Sequence, residues 1–208
     1  TIRTLQKGDS SLARPHLEIG AGRVLRKQGC INADIFPGPN IDVVFDATKS
    51  WPFKGGAIGF ISSSHVLEHL PSPYVFFKEA HRVLAHSPLA NMEVRLPYGA
   101  SDAGMGDITH IRSYLPVSFA CFQPGYNDAI NNPQHDDWQA PFSVMAIHLV
   151  PDRAFHWCFL PVIRNLLVPY LRFLWGAFTE MIVVMRALKT PEEIDRWKQT
   201  YKANEVPI

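Results

Sequence analysis

The first hundred residues alternate short apolar runs with turn-forming clusters. Residues 16–20 (His-Leu-Glu-Ile-Gly) read as a strand ending in glycine, and residues 31–35 and 41–45 as two more, the latter rich in β-branched side chains. Pro37, Gly38, Pro39 and Asn40 separate those two as a turn. Residues 58–61 (Ile-Gly-Phe-Ile) make a fourth run. The period then changes. Val75, Phe76, Glu79, Ala80, Val83 and Leu84 recur at helical spacing, which predicts a helix over residues 73–84, with Pro71 and Pro73 suited to its opening turn. Residues 92–96 give a fifth strand. Strands alternating with helices predict an α/β fold on a mostly parallel sheet, with ligands at the carboxyl ends of its strands.

The second half is less regular. Residues 99–107 are glycine-rich and read as a loop, and residues 123–141, rich in Asn, Asp and Pro, as a long one of the kind that is usually functional. Residues 142–150 and 179–187 read as the last two strands. Thr190, Pro191 and Glu193 then open a helix: Thr caps, Pro takes the first helical position, and Glu193 completes a capping box. The most membrane-like stretch is 157–178, but it carries Arg164, Asn165 and Arg172 and is broken by Pro161 and Pro169. Charges at a bilayer centre cost at least about 2.5 kcal/mol each, so a transmembrane span is not expected. The reading favours a pair of short helices packed on the sheet or on a second copy of the chain, a route to a homo-oligomer, over a membrane-surface role.

Composition narrows the picture. A chain of 208 residues with 47% apolar content suits one domain over residues 1–208. A net charge of +1 gives no electrostatic reason to expect a nucleic-acid partner. Cys30, Cys121 and Cys158 form no CxxC pair and read as reduced thiols of a cytoplasmic protein, and the opening residues do not read as a signal peptide.

The sharpest local feature is Leu-Glu-Ile-Gly-Ala-Gly at 17–22. Glycines directly after a buried strand let the backbone turn tightly and approach a ligand closely. The dinucleotide fingerprint needs a third glycine where this chain has Leu25, so a nicotinamide or flavin dinucleotide is disfavoured. Asp34, ending the second strand, stands where a carboxylate can accept both ribose hydroxyls of an adenosine. Its short distance from the glycines predicts an abbreviated crossover in place of a full helix; the other reading of Asp34 is a solvated turn acid. Asp46 and Ala47, after the third strand, suit the amino group and ring edge of an adenine, or else Asp46 opens a turn before Lys49.

Five segments taken together resemble a known family: residues 17–22; Asn-Ala-Asp at 32–34; Asp-Ala-Thr-Lys-Ser-Trp-Pro-Phe at 46–53; Ser-Ser-Ser-His-Val-Leu-Glu-His-Leu at 62–70; and Glu-Ala-His-Arg-Val-Leu at 79–84. Their order is similar to that of class I (Rossmann-like) S-adenosyl-L-methionine-dependent methyltransferases, in particular the small bacterial enzymes of sugar, polysaccharide and natural-product pathways. The likeness covers about residues 15–120. It implies a seven-stranded sheet with helices on both faces, whose last strand runs antiparallel, and S-adenosylmethionine as cofactor. It further implies that Gly20, Ala21 and Gly22 line the methionine part, with Glu18 orienting the loop near the methionine amino group. Asp34 would hold the ribose with Ile35 against the adenine, Asp46 and Ala47 would border the adenine, and Ser63, Ser64 and His65 would lie at the sulfonium end. Gly59 stands where many relatives have an aspartate, and residues 85–90 replace their usual Lys-Pro-Gly-Gly turn.

Methyl transfer displaces a sulfonium in line, so the protein must mainly align the acceptor and exclude water, with a base only for an acceptor such as a hydroxyl. The acceptor-side candidates are His110 as base and Asp107 as its orienting partner or a hydroxyl ligand, with Arg112 for a phosphate or carboxylate. The competing reading is that His110 and Asp107 only fix their loop. His65, Glu68 and His69 have the wrong order for a zincin motif, and Asp107, His110, His135, Asp136 and Asp137 have no diagnostic metal spacing, so no metal is assigned. Tyr98, Tyr114, Trp138 and Trp157 are aromatic candidates for an acceptor pocket, though such residues are more often core. No Gly-x-Ser-x-Gly or P-loop is present. The expected activity is methyl transfer to a small-molecule acceptor, a sugar or specialised-metabolite hydroxyl. The alternative is a catalytically silent binding protein of the same fold acting through the apolar 157–178 surface.

Overall fold

The computed structural model describes residues 14–22, 28–126, 140–154 and 175–200. Seven strands form one sheet: β1 (His16–Ile19), β2 (Cys30–Asp34), β3 (Val43–Val44), β4 (Phe60–Ser64), β5 (Asn91–Pro97), β6 (Phe142–Pro151) and β7 (Phe178–Ala187). Their order across the sheet is β3-β2-β1-β4-β5-β7-β6. β1 pairs in parallel with β2 on one side and β4 on the other, while β7 runs antiparallel to both β5 and β6. This is a mostly parallel, Rossmann-like sheet, and the reversed strand is the last in sequence, as the resemblance implies.

Leu17, Ile61, Met92, Val94, Leu96, Met181 and Val183 are fully buried, and the strand register puts them on one face of the sheet. Burial alternates along β4, β5 and β7, so this face is the more deeply covered of the two. α1 (Pro73–Val83) begins at Ser72, whose Oγ accepts the amide of Tyr74, with Pro73 at the first helical position. It buries Phe76, Phe77, Ala80 and Val83. Phe77 packs against Phe122 and Phe142 with ring centroids 4.0 and 6.0 Å apart, joining α1 to the 3-10 segment Pro116–Phe122 and to β6. α1 also buries the carboxylate of Glu79. It accepts the Trp51 amide at 2.7 Å and both Arg82 Nε and Nη2 at 2.9 and 2.6 Å. Arg82 donates in turn to the carbonyls of Phe53 and Trp51. This network fastens the segment after β3 to α1, so that residues 46–48 are held from behind.

The structure revises some boundaries. The fourth strand begins two residues later than the apolar run and continues through Ser62, Ser63 and Ser64. Gly59 instead donates its amide to Pro15, and Ile58 bridges Leu84. Serines are poor strand formers alone, but pairing with β1 and β5 on both sides overrides the preference. Residues 99–107 are not all loop. They contain the single-turn helix α2 (Asp102–Met105), capped by Ser101, whose Oγ accepts the Gly104 amide and donates to the Tyr98 carbonyl. The C-terminal helix α3 (Pro191–Thr200) has the expected box: Thr190 Oγ1 accepts the Glu193 amide, and Glu193 Oε2 accepts that of Thr190. Phe178 is fully buried in β7 and does not belong to an apolar surface segment. Most of 157–178, the centre of 123–141 and the crossover after Gly22 lie outside the described residues. Among the described residues, no helix is long and apolar enough to cross a membrane.

Candidate functional site

The order of the sheet reverses between β1 and β4, since β1 is followed by β2 and β3 on one side and by β4 and β5 on the other. A crevice opens at the carboxyl ends of strands at such a switch point. Here it is a cavity of about 590 Å³, within the usual range for small-molecule sites. Gly20, Asp34, Ile35, Asp46, Ala47 and His65 line it, together with Phe36, Phe45, Val66 and His69.

Gly20 adopts φ +73°, and a Cβ there would collide with Val66 Cγ2. Only glycine lets the chain turn at this point while the segment after β4 approaches it. The turn is tied to the end of β2. The amides of Gly20 and Ala21 both donate to the Ala33 carbonyl, and that of Gly22 donates to Asp34 Oδ2 at 3.0 Å. Asp34 Oδ1 accepts the Phe36 amide at 3.0 Å. Each carboxylate oxygen thus has one backbone donor and one lone pair to offer a ligand. Beyond Asp34, Ile35 and Phe36 are 54% and 56% exposed, although they are large and apolar. They give the cavity rim a surface suited to a flat ring.

On the far side, Asp46 turns back on its own chain. Its Oδ1 accepts both the amide and the hydroxyl of Thr48, and Lys49 Nζ lies 3.3 Å from Oδ2. The Thr48 hydroxyl, then the Thr48 amide, and Lys49 hold the Asp46 carboxyl below the usual aspartate range. Asp46 therefore opens a turn before Lys49, as one of its two sequence readings has it, and lines the cavity at the same time.

His65 stands at the end of β4 with φ +54°, the one described non-glycine residue with positive φ. Its amide still donates to Arg95, continuing the ladder to β5. The strained turn places its ring between two carboxylates, with Nδ1 3.2 Å from Glu68 Oε1 and Nε2 3.0 Å from Glu180 Oε1. Glu68 first, and then Glu180, raise the pKa of His65 above the ordinary histidine value against the effect of burial.

Five of the expected cofactor residues do not line this cavity. Glu18 is 2% exposed inside the sheet, where it accepts the Ser62 hydroxyl and lies near His16, and it does not line the cavity. Ala21, Gly22, Ser63 and Ser64 are also outside the lining; Ser63 is 2% exposed and its Oγ is buried without a hydrogen-bond partner. The sequence reading missed Ile19, Phe36, Phe45, Thr48, Val66, His69, Leu70 and Pro71. The three at 69–71 follow the Glu68 turn directly, and no periodicity marks them.

The acceptor-side candidates do not line the cavity. Asp107 Oδ1 accepts the amide and hydroxyl of Thr109, and His110 returns its own amide to the Asp107 carbonyl. These contacts fix the loop, the competing reading of the pair. His110 Nε2 and Asp107 Oδ2 are 3.8 Å apart. The loop is moored to the segment after β4: Ile111 and Arg112 donate their amides to the Glu68 carbonyl, and the Arg112 guanidinium donates to the Pro71 carbonyl. The His110 ring lies 5.0 Å from that of His69, which does line the cavity. Tyr98 and Tyr114 are core residues, 2% and 7% exposed, and burial raises the Tyr114 hydroxyl to about 12. Trp138 and Trp157 lie outside the described residues.

Residues 21–87 match the family model of a methyltransferase domain. No curated protein matches the sequence. Among solved structures, the chain is similar to a SAM-dependent methyltransferase from Archaeoglobus fulgidus (15% identity, 84% of this chain and 86% of that one, TM-score 0.49). It is likewise similar to an S-adenosylmethionine-dependent methyltransferase from Mesorhizobium loti (13% identity, 84% and 91% of the chains, TM-score 0.48). A third is geranyl diphosphate C-methyltransferase from Streptomyces coelicolor A3(2), in complex with Mg2+, geranyl diphosphate and S-adenosyl-L-homocysteine (12% identity, 84% and 74%, TM-score 0.44).

Proposed function

We propose that the protein is an S-adenosylmethionine-dependent methyltransferase, a single domain acting on a small-molecule acceptor, with a sugar or specialised-metabolite hydroxyl as the first class to try. The observation that carries this reading is the cavity at the β1–β4 switch point, where Gly20 and Asp34 meet under an apolar rim. The match of residues 21–87 to a methyltransferase domain supports it.

The cavity residues fit the cofactor. Asp34 keeps a lone pair on each oxygen for a ribose diol. Ile35, Phe36 and Phe45 would supply apolar surface for an adenine, with Asp46, Ala47 and Thr48 at its border. Gly20 would keep the backbone close to the methionine end, and His65 would stand on the sulfonium side. S-adenosylmethionine, when bound, supplies a methyl group already activated by a positive sulfur. What is left to the chain is to align the acceptor, keep water out and take up a proton. His110, with Asp107 beside it, is the base for a hydroxyl acceptor; its neighbour His69 connects that loop to the cavity.

The test is calorimetric titration with S-adenosylmethionine and S-adenosylhomocysteine, with NAD as control. Saturable binding of the first two and none of NAD is expected. Asp34→Ala should weaken binding by about 100-fold, the loss of two hydrogen bonds to a charged acceptor. Unchanged affinity in a folded D34A variant overturns the ribose assignment. No binding by the wild-type chain overturns the enzyme reading and favours a silent protein of the same fold.

A further inference from the structure

The turn after β4 contains a second chemistry that the cofactor cavity does not use. Glu68, in the 3-10 turn Leu67–His69, is 1% exposed, and neither of its carboxylate oxygens has a hydrogen-bond partner. His65 Nδ1, 3.2 Å from Oε1, faces it as an ion-pair partner without closing a hydrogen bond. Buried carboxylates are ordinarily paired and hydrogen-bonded, or coordinate a metal. Glu79, elsewhere in this protein, shows the ordinary case.

Two imidazoles stand beside Glu68. One oxygen of Glu68, one nitrogen of His69 and one of His110 all lie within 4.8 Å of one another. Both rings are oriented by the backbone. His69 Nδ1 is 3.2 Å from the Thr109 carbonyl, and His110 Nδ1 is 3.2 Å from the Gly104 carbonyl. A carbonyl accepts only, so each Nδ1 is the donor, and Nε2 is the nitrogen that the neutral ring would offer to a ligand. This is how histidine ligands are fixed in metal sites. The two rings, 41 positions apart in sequence, come from two loops that the amides of Ile111 and Arg112, donating to the Glu68 carbonyl, hold together.

We infer that Glu68, His69 and His110 form a binding site for one divalent transition-metal ion of the zinc class. Two imidazoles and one carboxylate are a donor set for zinc at open, three-ligand sites, and nitrogen donors disfavour magnesium and calcium. The three donor atoms are wider apart than in a closed tetrahedral site, so binding draws His69, the exposed member, toward the other two. His69 also lines the cofactor cavity, so the ion's remaining coordination position is available from that side. Asp107 Oδ2 lies 3.8 Å from the same His110 nitrogen; a nitrogen that ligates an ion is not a base, so the base assigned to His110 belongs to the metal-free protein.

The experiment uses tag-free full-length protein stripped of metal, titrated with Co2+ by visible absorption and with Zn2+ by calorimetry, without any cofactor. One ion per chain is expected, with ligand-field bands of a four- or five-coordinate cobalt site and no thiolate charge-transfer band. Glu68→Gln and His110→Ala should each weaken Zn2+ binding by 100-fold or more, by about the order set by losing one of three ligands. His69→Ala, at an exposed position, gives the same loss without disturbing the core, and an unchanged urea midpoint shows that a variant is folded. Absence of stoichiometric uptake, a thiolate band from the cysteines, or full affinity in folded H69A overturns the site. None of these outcomes depends on whether S-adenosylmethionine binds.

Discussion

Glu79 and Glu68 are both buried glutamates within twelve residues of each other, and their surroundings are opposite. Glu79 lies on a regular helix and has the Trp51 amide, the Arg82 guanidinium and the Ser50 hydroxyl around it. Glu68 lies in a tight turn with two imidazoles and a third histidine near it and no hydrogen bond to either oxygen. A buried charge that is fully paired fixes structure. One that meets a histidine at 3.2 Å and two further imidazoles, with no hydrogen bond closed, is left for a cation to satisfy. The contrast separates the wall of the cavity, where the segment after β3 is locked to α1, from the side where the chemistry of the acceptor is expected.

The sharpest way to break the comparison is to remove the paired carboxylate. Glu79→Ala should cost about 3–4 kcal/mol, because it leaves Arg82 without its partner and the Trp51 amide buried without an acceptor. Urea unfolding measures it, and a loss below about 1 kcal/mol would show that the network is ornamental.

α1 also offers an intermediate case. His81 Nε2 donates to the Leu188 carbonyl at 2.8 Å, and Lys189 Nζ donates to the His81 carbonyl, with the His86 ring the other titratable group near it. Burial first, then Lys189, depress the His81 pKa to about 4. An unfolded histidine titrates near 6.5, so between about pH 6.5 and pH 4 the unfolded chain binds a proton that the folded one refuses. Stability is therefore lost as the pH falls through this window. The His81 contribution should amount to about 2 kcal/mol between pH 7.5 and pH 5. Comparing unfolding at the two pH values in the wild type and in His81→Asn isolates it; an equal pH dependence in both would refute the assignment.

The smallest effect belongs to Glu68. In metal-free protein, Glu68→Gln should change stability by less than about 1 kcal/mol, since no hydrogen bond to the carboxylate is lost. With Zn2+ present, the wild type should gain a higher unfolding midpoint that the variant lacks, the sign of a ligand that binds only the folded chain. A large loss in the metal-free variant would mean that Glu68 serves His65 as a structural counter-ion.

The sequence by itself determined the elements whose signals are local. The glycine turn at 20–22, Asp34 at the end of β2, the helical period of α1 and the Thr190–Glu193 box all depend on neighbours within a few residues, and all are where the pattern puts them. So does the class of sheet, because alternating strand and helix periods leave few ways to bury both faces. Tertiary structure alone decided the rest. Ser62–Ser64 became strand because two partners flank them, Glu18 stayed inside the sheet, and residues 69–71 entered the cavity wall. Above all, Glu68 and His69 meet His110, the two rings 41 positions apart in sequence. No period or spacing reports such a meeting, because the contact is made by two loops, and loops are brought together by the strands they leave, not by their own composition.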